Sequence, residues 1–316
     1  ICLKKCFFNI STISKILGPS CRDGMKFIKH LSLEEKRSFL QSFDQVLCDC
    51  DGVIWQTMRD AIPGSAVGIN FLRNNGKQVT FVTNNSITTI DEQLRKFQLC
   101  NIAVEKNDIV HPAQTICEHL QEIQFEGLIY CIASTPFKQL LREAGFQLVE
   151  DANLRLAIYN KDPIKAVIID VDFNLTAAKL MRAHVHLKDS DCLFIAGAAD
   201  TLIPFGAEDV IGPGPYISVV ENSSKRTATV LGKPGLHLCE RLRKRFALSD
   251  PSRALFIGDS LSSDISFGKM CGFQTLLVLS GGTKAQDLAT QLNKYEAPDY
   301  ILDCLGDFVQ LFKECV

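Results

Sequence analysis

The sequence is poor in the features that would assign a chain to a special class of protein. Its 316 residues carry a net charge of only −2, so composition gives no reason to expect binding to nucleic acid or to an anionic membrane. No uninterrupted apolar run has the length that a membrane-spanning helix needs, and no C-x-x-C pair is present. A hydrophobic content of 46% remains, which suffices for two domains with substantial cores.

Cysteine, in contrast, is common, with 13 residues spread along the chain. Cys48, Cys131 and Cys192 lie inside apolar runs, which is typical of cysteine used as a small buried residue. This pattern favours free thiols in a reducing compartment over a disulfide framework. It predicts a cytoplasmic protein.

The stretch from Val46 to Trp55 ends a short apolar run on two carboxylates, Asp49 and Asp51. Such a run predicts a buried parallel strand, and its carboxyl end is where open α/β sheets bind their ligands. Gly52 permits a bend that lets both acids point into one small volume. Two confined carboxylates indicate a hard divalent cation, Mg²⁺, completed by water and by phosphate oxygens. Alone, however, a D-x-D-G string also occurs in ordinary loops and calcium-binding turns.

Three further fragments place polar residues at the end of an apolar run or at a helix start. They are Phe81 to Ser86, Val230 to Pro234 and Leu255 to Asp264. Together with the first stretch they resemble the four motifs of the haloacid dehalogenase superfamily of phosphatases. The resemblance is closest to the branch that contains phosphoglycolate phosphatase, pyridoxal phosphatase and the 4-nitrophenylphosphatases, and it covers about residues 32 to 313.

The resemblance implies an α/β fold in which a Rossmann-like core with a parallel sheet carries an inserted α/β cap of the C2 type. We place the core at residues 32–125 and 228–316 and the cap at 126–227. Within the cap we predict alternating strands and helices that close with a strand from Tyr216 to Val220. The next strand, which ends at Gly232, is assigned to the core sheet.

Residues 1–31 form an amino-terminal extension in this scheme, and two interpretations of residues 1–24 stay open. Basic residues precede the first acidic residue, Asp23, among serines and phenylalanines, which fits a mitochondrial transit segment. Alternatively, Met25 is the natural start and the upstream residues come from an extended gene model. We favour the second interpretation because the family-like sequence begins just after Met25.

Hydrolysis of a phosphate monoester needs an in-line nucleophile, neutralisation of the equatorial oxygens and a proton for the leaving alcohol. The resemblance assigns Asp49 as the nucleophile that forms an aspartyl phosphate, and Asp51 as the general acid and base. Thr83 would donate its hydroxyl to a phosphoryl oxygen. Lys233 would place a positive charge beside Asp49 and the phosphate.

The resemblance assigns Mg²⁺ to Asp49, Asp259 and the carbonyl of Asp51, with Asp264 orienting the set from behind. The substrate would be framed by four residues: Thr83, Asn84, Asn85 and Lys233.

Each of these residues also has an ordinary structural interpretation. Lys233 would fit an exposed helix start, Asp264 would complement a helix dipole, and Thr83 suits a strand. The two asparagines would fit the turn after that strand. Trp55 would pack under the acid loop or line the entrance.

The chain departs from the branch where substrates are selected. Serines lie between Ser260 and Ser263 where charged residues are usual, and the cap string Ala196 to Asp200 lacks the usual threonine and asparagine. A basic residue that often follows the asparagine pair is replaced by Ile87. The resemblance therefore predicts phosphatase chemistry without naming a substrate.

We expect a Mg²⁺-dependent phosphatase that hydrolyses small esters such as phosphoglycolate, pyridoxal phosphate or 4-nitrophenyl phosphate, because a large cap would limit access for folded substrates. The alternative is a phosphate-binding regulatory pseudoenzyme with a drifted cap. A third hypothesis, a phosphoacceptor signalling domain, is disfavoured by the insertion and by Asp51. The resemblance also implies a homodimer through the cap, and neither nucleic acid nor a membrane is expected as a partner.

Overall fold

The computed structural model of the chain describes residues 24–56, 60–160, 163–206, 208–289, 292–293 and 295–315. The transit-segment and gene-model interpretations concern residues 1–24, of which residues 1–23 lie outside these ranges. The described chain forms a seven-stranded sheet, a five-stranded sheet and a two-stranded hairpin. None of the helices within the described ranges has both the length and the apolarity needed to cross a membrane.

The strands alternate with helices along most of the chain. The described strands are β1 (Lys26–Phe27), β2 (Gln45–Cys48), β3 (Gln78–Val82), β4 (Ile109–Val110), β5 (Leu128–Ile132), β6 (Gln147–Val149), β7 (Ile164–Ile169), β8 (Leu193–Ala196), β9 (Leu202–Phe205), β10 (Glu208–Ile211), β11 (Thr229–Val230), β12 (Ala254–Gly258), β13 (Gln274–Val278) and β14 (Tyr300–Leu302). The described α-helices are α1 (Leu33–Gln41), α2 (Ser65–Asn74), α3 (Ile90–Leu99), α4 (Pro112–Glu122), α5 (Thr135–Glu143), α6 (Ala177–His186), α7 (Pro213–Ser224), α8 (Leu236–Arg245), α9 (Ser266–Met270) and α10 (Asp307–Phe312).

The larger sheet is parallel throughout, in the order β1-β14-β13-β12-β2-β3-β4. Alternate side chains of its central strands point to opposite faces of the sheet, and both faces are buried. In β2, for example, Leu47 joins the apolar cluster on one face, whereas Val46 and Cys48 join the cluster on the other. This arrangement confirms the predicted α/β fold class with a parallel Rossmann-like core.

The smaller sheet is also parallel, in the order β11-β8-β7-β5-β6, and helices contribute to the apolar clusters on its two faces. The hairpin of β9 and β10 is antiparallel and belongs to neither sheet. Both the smaller sheet and the hairpin are built from the segment between β4 and α8. The larger sheet thus has an α/β insertion, while the limits 126 and 227 set from the sequence stay a prediction.

Several helices begin at residues that the sequence marks. Ser32 and Thr89 form capping boxes with Glu35 and Glu92 at the starts of α1 and α3. At the start of α4, the imidazole Nδ1 of His111 accepts a hydrogen bond from a backbone N–H of the first turn. These caps fix the points at which the chain leaves the sheets.

Three assignments made from the sequence are wrong. The segment Tyr216 to Val220 is helical, within α7, because its buried residues recur at helical spacing after a proline in the first turn. Thr229–Val230 pairs with β8 of the smaller sheet and not with the core sheet. Lys26–Phe27, left outside the core by the sequence analysis, pairs with β14 as its edge strand.

Candidate active site

The carboxyl ends of three adjacent strands meet at one edge of the larger sheet. Because β2 lies between β12 and β3, the residues that directly follow these strands, Asp49, Asp259 and Thr83, come together. The backbone N–H of Asp49 still donates to the Ile257 carbonyl at 2.8 Å, which continues the sheet pattern. All three site residues are buried. The topology alone therefore gathers groups from distant parts of the chain.

Lys233 brings a positive charge to this edge. Its Nζ lies 2.7 Å from Asp49 Oδ1 and 2.6 Å from Asp264 Oδ1, and its side chain is 2% exposed. Burial would lower the pKa of this amine, but the carboxylates of Asp264 and Asp49 together outweigh burial and raise the pKa above its ordinary value. Lys233 is therefore charged in the fold, and its interpretation as an exposed helix-start residue is wrong.

Asp264 holds both the lysine and the loop that carries Asp259. One of its oxygens accepts from Lys233, and the other accepts from the backbone N–H groups of Asp259 at 3.0 Å and Ser260 at 3.1 Å. It lies in the π-helical turn Leu261–Ile265 and is buried. These contacts fit the orienting role that the sequence suggested.

Asp51 has a different environment from the other carboxylates. Its Oδ1 accepts from the indole Nε1 of Trp55 at 3.2 Å, and its Oδ2 accepts from Asn85 Nδ2 at 3.1 Å. Both donors are neutral, and they fix the direction of the carboxylate. Trp55 is buried against Phe97, so it packs under the acid loop and does not line the entrance.

Asn84 connects the loop that follows β3 to the loop that carries Lys233. Its Oδ1 accepts from the Lys233 backbone N–H at 2.9 Å, and its Nδ2 donates to the Lys233 carbonyl at 2.9 Å and to Asp200 Oδ2 at 2.7 Å. The Oγ1 of Thr83 accepts from the Asn85 backbone N–H at 3.0 Å. The Thr83 hydroxyl proton can therefore be donated into the cleft, whereas both polar atoms of the Asn84 side chain are already engaged.

The inserted segment reaches the same loop through two aspartates. Asp170, at the end of β7, accepts a hydrogen bond from the hydroxyl of Ser86 and one from the backbone N–H of Ala198 at 3.1 Å. Burial raises the pKa of Asp170 to about 6, although these donors oppose the shift. Asp200, which follows β8, is the residue that binds Asn84. The segment 83–87 thus makes hydrogen bonds to Asp51, to Lys233 and to the insertion.

The carboxylates of the site exceed its positive charge. Asp49, Asp259 and Asp264 each offer an oxygen within 4.8 Å of the others, and Lys233 is their one cationic hydrogen-bond partner in the described chain. Burial, followed by repulsion from Asp264, raises the pKa of Asp259 to about 7. Burial also raises the pKa of Asp49, and repulsion from Asp264 and Asp259 adds to the shift. Crowded hard oxygen donors with unbalanced charge are the surroundings that suit Mg²⁺.

A cleft of about 230 Å³ opens above these groups. Its lining includes the residues that the sequence analysis placed in the site: Asp49, Asp51, Thr83, Asn84, Asn85, Lys233, Asp259 and Asp264. Its lining also includes residues of the insertion and Ile87. The structure therefore brings all eight residues together, while their individual roles stay predictions.

Sequence reasoning missed Asp170, Asp200 and the hydrogen bond from Trp55. The two aspartates follow buried strands of a parallel sheet, just as Asp49 does, so the same pattern could have identified them. For Trp55 the signal was weaker, because its contact depends on the turn that begins at Gly52. Asn84 was predicted to contact substrate, which stays a prediction; its side chain is hydrogen-bonded to the Lys233 backbone and to Asp200.

Family models match two parts of the chain, which together include the strands of the larger sheet other than β1. Residues 46–147 match a model described as haloacid dehalogenase-like hydrolase, and residues 230–308 match one described as HAD-hydrolase-like. The chain is 30% identical to chronophin from Rattus norvegicus over 285 residues, which cover 87% of this chain and 89% of chronophin. It is 29% identical to phosphoglycolate phosphatase 2 from Arabidopsis thaliana, with 90% of this chain and 98% of that protein covered.

Solved structures share the fold at lower sequence identity. The 4-nitrophenylphosphatase from Thermotoga maritima superposes with a TM-score of 0.72 at 24% identity, covering 86% of this chain and 98% of that one. Glycerol phosphate phosphatase from Mycobacterium tuberculosis, solved in complex with magnesium, gives a TM-score of 0.70 at 22% identity, covering 85% of this chain and 77% of that one.

Proposed function

The chain belongs to the haloacid dehalogenase-like hydrolases, and from this membership and its site geometry we propose that it is a phosphatase that hydrolyses small phosphate monoesters with Mg²⁺ through an aspartyl phosphate. One observation carries the proposal: the Lys233 amine lies between the carboxylates of Asp49 and Asp264. Asp259 and Thr83 lie at the same edge of the sheet, directly after their strands. This cluster combines a nucleophile, a fixed cation and a hydroxyl donor, which phosphoryl transfer requires.

Asp49 is the proposed nucleophile because one of its oxygens is held by Lys233 while no described hydrogen bond occupies the other. The fixed ammonium favours the ionised carboxylate and offsets the charge of an approaching phosphate. The Thr83 hydroxyl, free to donate, would bind an equatorial oxygen of the phosphoryl group. Attack of Asp49 on phosphorus gives an aspartyl phosphate and releases the alkoxide of the substrate.

Asp51 is the proposed general acid and base. Its carboxylate is held by the neutral donors Trp55 and Asn85, and no described salt bridge fixes it in the charged form. Asp51 would give a proton to the leaving oxygen and then take one from the water that hydrolyses the aspartyl phosphate. The presence of a second acid at this position favours turnover over storage of the phosphoryl group.

Asp49 and Asp259 are the side chains best suited to hold Mg²⁺, with the carbonyl of Asp51 as a further candidate. Asp264 lies within the same cluster, but its oxygens already accept from Lys233 and from two backbone N–H groups. A bound Mg²⁺ would supply neutralisation of the carboxylate cluster and of the phosphate oxygens. A glycerol phosphate phosphatase of this fold was solved with magnesium, which agrees with the proposal.

The decisive experiment measures phosphate release from 4-nitrophenyl phosphate and from a panel of small esters, with and without Mg²⁺. Phosphoglycolate and glycerol 3-phosphate belong in the panel because relatives are named after them. Asp49→Asn should abolish turnover, because an amide cannot act as the nucleophile. The control Asp44→Asn changes an exposed carboxylate just before the same strand and should retain turnover. Activity of Asp49→Asn equal to wild type would refute the mechanism.

The alternative of a regulatory pseudoenzyme has no observation in its favour. It would require tight phosphate binding without turnover by well-folded wild-type protein, and the same assay tests the absence of turnover. A cytoplasmic location and a homodimer through the cap stay predictions. The location agrees with the ten described cysteines, all of which are free.

A further inference from the structure

Apolar side chains form part of the cleft wall. Ile87 follows the asparagine pair on the core side, and Val171, Leu202, Ile203 and Pro204 face it from the insertion. The last three belong to β9, the first strand of the hairpin, which the sequence analysis did not anticipate. A phosphate bound beside Asp49 would direct the alcohol part of its ester between these walls.

The charged groups of the cleft are almost all negative. Among its described lining residues the carboxylates are Asp49, Asp51, Asp200, Asp209, Asp259 and Asp264. Lys233 is the one cation among them, and its amine is already hydrogen-bonded to Asp49 and Asp264. Asp200 and Asp209 lie outside the carboxylate cluster that would hold the metal, so they add negative charge beyond it.

We propose, on the basis of the phosphatase function above, that the preferred substrate is a phosphate ester whose alcohol part is apolar and carries no negative charge. An anionic group on the alcohol would lose water between the apolar walls and would find no free cation among the described lining residues. It would also be repelled by Asp200 and Asp209. Selection would thus act through repulsion of anionic esters as well as through apolar contact with neutral ones.

The size of the cleft limits the alcohol part as well. Its volume of about 230 Å³ lies below the range of pockets that bind drug-sized ligands. A single aromatic ring or a short alkyl chain next to the phosphate suits this volume. The substrate class is therefore a small neutral aryl or alkyl phosphate.

The test compares esters that differ only by a carboxylate. Phenyl phosphate and 4-carboxyphenyl phosphate form one pair, and ethyl phosphate and 2-phosphoglycolate form the other. The neutral member of each pair should have the higher kcat/KM, by roughly tenfold or more, because the buried carboxylate has no partner. Equal values, or a preference for the carboxylate, would overturn the inference while leaving the phosphatase function intact.

A binding measurement distinguishes failure of this inference from failure of the proposed phosphatase function. Phenylphosphonate and 4-carboxyphenylphosphonate cannot be hydrolysed, and calorimetry with wild-type protein and Mg²⁺ gives their dissociation constants. Tighter binding of the neutral phosphonate supports the inference even if no ester is turned over. Equal or tighter binding of the carboxylate refutes it in the same case.

A variant can reverse the preference. Ile87→Lys places an ammonium among the apolar side chains of the cleft. The ratio of kcat/KM for 4-carboxyphenyl phosphate to that for phenyl phosphate should rise by roughly tenfold. Ile87→Met is the matched control, because it has a similar unbranched length without charge and should keep the wild-type ratio. If the ratio changes equally in both variants, the shape of the side chain at position 87 and not the missing positive charge sets the preference, and the inference is overturned.

Discussion

Asp51 and Asp49 lie two residues apart, yet their carboxylates accept hydrogen bonds from different kinds of donor. Asp49 is bound by a buried ammonium, whereas Asp51 is bound by an indole and an amide. The ammonium of Lys233 favours the carboxylate form that the proposed nucleophile needs, whereas the neutral donors fix the direction of the Asp51 carboxylate. The proposed roles of the two acids therefore follow from the side chains that contact them.

Trp55→Phe should impair the proposed acid step selectively. Phenylalanine keeps most of the packing against Phe97 but removes the N–H that orients Asp51. We expect kcat/KM for ethyl phosphate to fall by roughly 10- to 100-fold, which is part of the roughly 10²- to 10⁴-fold that general acid catalysis contributes, because Asp51 itself is retained. The loss for 4-nitrophenyl phosphate should be smaller, because its phenol leaves without a proton.

Steady-state assays of both esters across pH check this prediction. Phe97→Leu serves as the control, since it perturbs the packing of Trp55 without removing its hydrogen bond. Equal losses on the two esters in Trp55→Phe would show that the indole has only a structural role.

At the scale of elements, the turn after β2 is shaped by Gly52. Its φ of +83° favours glycine, and a Cβ built there would lie 2.1 Å from Asp259 Oδ2. The loop thus passes against the carboxylate proposed for the metal. A side chain at this position must displace either the turn of Asp51 or Asp259 itself.

Comparison of Gly52→Ala with Gly76→Ala isolates this contact. Gly76 has a similar φ of +76° but nothing within 4 Å of its added Cβ, so both variants share only the backbone cost of about 1 kcal/mol. Gly52→Ala should in addition lose roughly 100-fold or more in kcat, because the metal-side carboxylate is misplaced. Urea unfolding and kcat measured on both proteins test this, and similar activity in the two would contradict the proposed geometry.

The start of α4 contains a pH-sensitive cap. His111 is 2% exposed, and burial lowers the pKa of its imidazole from 6.5 to about 4. The folded chain therefore keeps it neutral, while the unfolded chain takes up a proton below pH 6.5. Its contribution to stability is complete above that pH and is lost as the pH falls towards 4, by about 3 kcal/mol in all.

His111→Asn should reduce this acid loss of stability. Asparagine is a good N-cap, so it retains an acceptor for the first turn of α4 but does not titrate. Denaturant unfolding at neutral pH and near pH 4.5 gives the change in unfolding free energy for each protein. The decrease should be smaller in the variant, and the same decrease in both would assign the acid sensitivity to other groups.

Local sequence predicted most strands but not every partner. The runs at β2, β3 and β12 are apolar and short, and acids or a threonine at their ends marked the catalytic edge. Tyr216 to Val220 is equally apolar, and five residues do not distinguish a buried strand from one face of a helix. The side-chain contacts of Asn84 depend on how distant loops meet, which no local pattern contains.

For the whole molecule, the proposed metal site joins segments that are far apart along the chain. A ligand that binds only the folded state stabilises all of these segments together, and at 100 times its Kd it adds about 2.7 kcal/mol. We therefore expect Mg²⁺ to raise the melting temperature of wild-type protein by several degrees.

Asp259→Asn should abolish this increase, because the variant loses a metal-side carboxylate. Burial and then repulsion from Asp264 raise the pKa of Asp259, which makes its charged form costly in the fold, so the metal-free variant should melt no lower than metal-free wild type. Glu126→Gln removes an exposed acid and should respond to Mg²⁺ like wild type. Thermal melts with Mg²⁺ and with EDTA test the prediction, and an undiminished rise in Asp259→Asn would remove this residue from the site.

Thr229–Val230 extends the smaller sheet, and Lys233 follows it after two residues. The Lys233 amine is thus positioned by a strand of the smaller sheet, although Asp49 and Asp264, which it contacts, follow strands of the larger sheet. Removal of the inserted segment together with this strand would displace Lys233, and Asp49 and Asp264 would lose the ammonium that lies between them. An exchange of the inserted segment would therefore preserve the Lys233 contacts only if it kept this strand or supplied another that holds Lys233 in the same place.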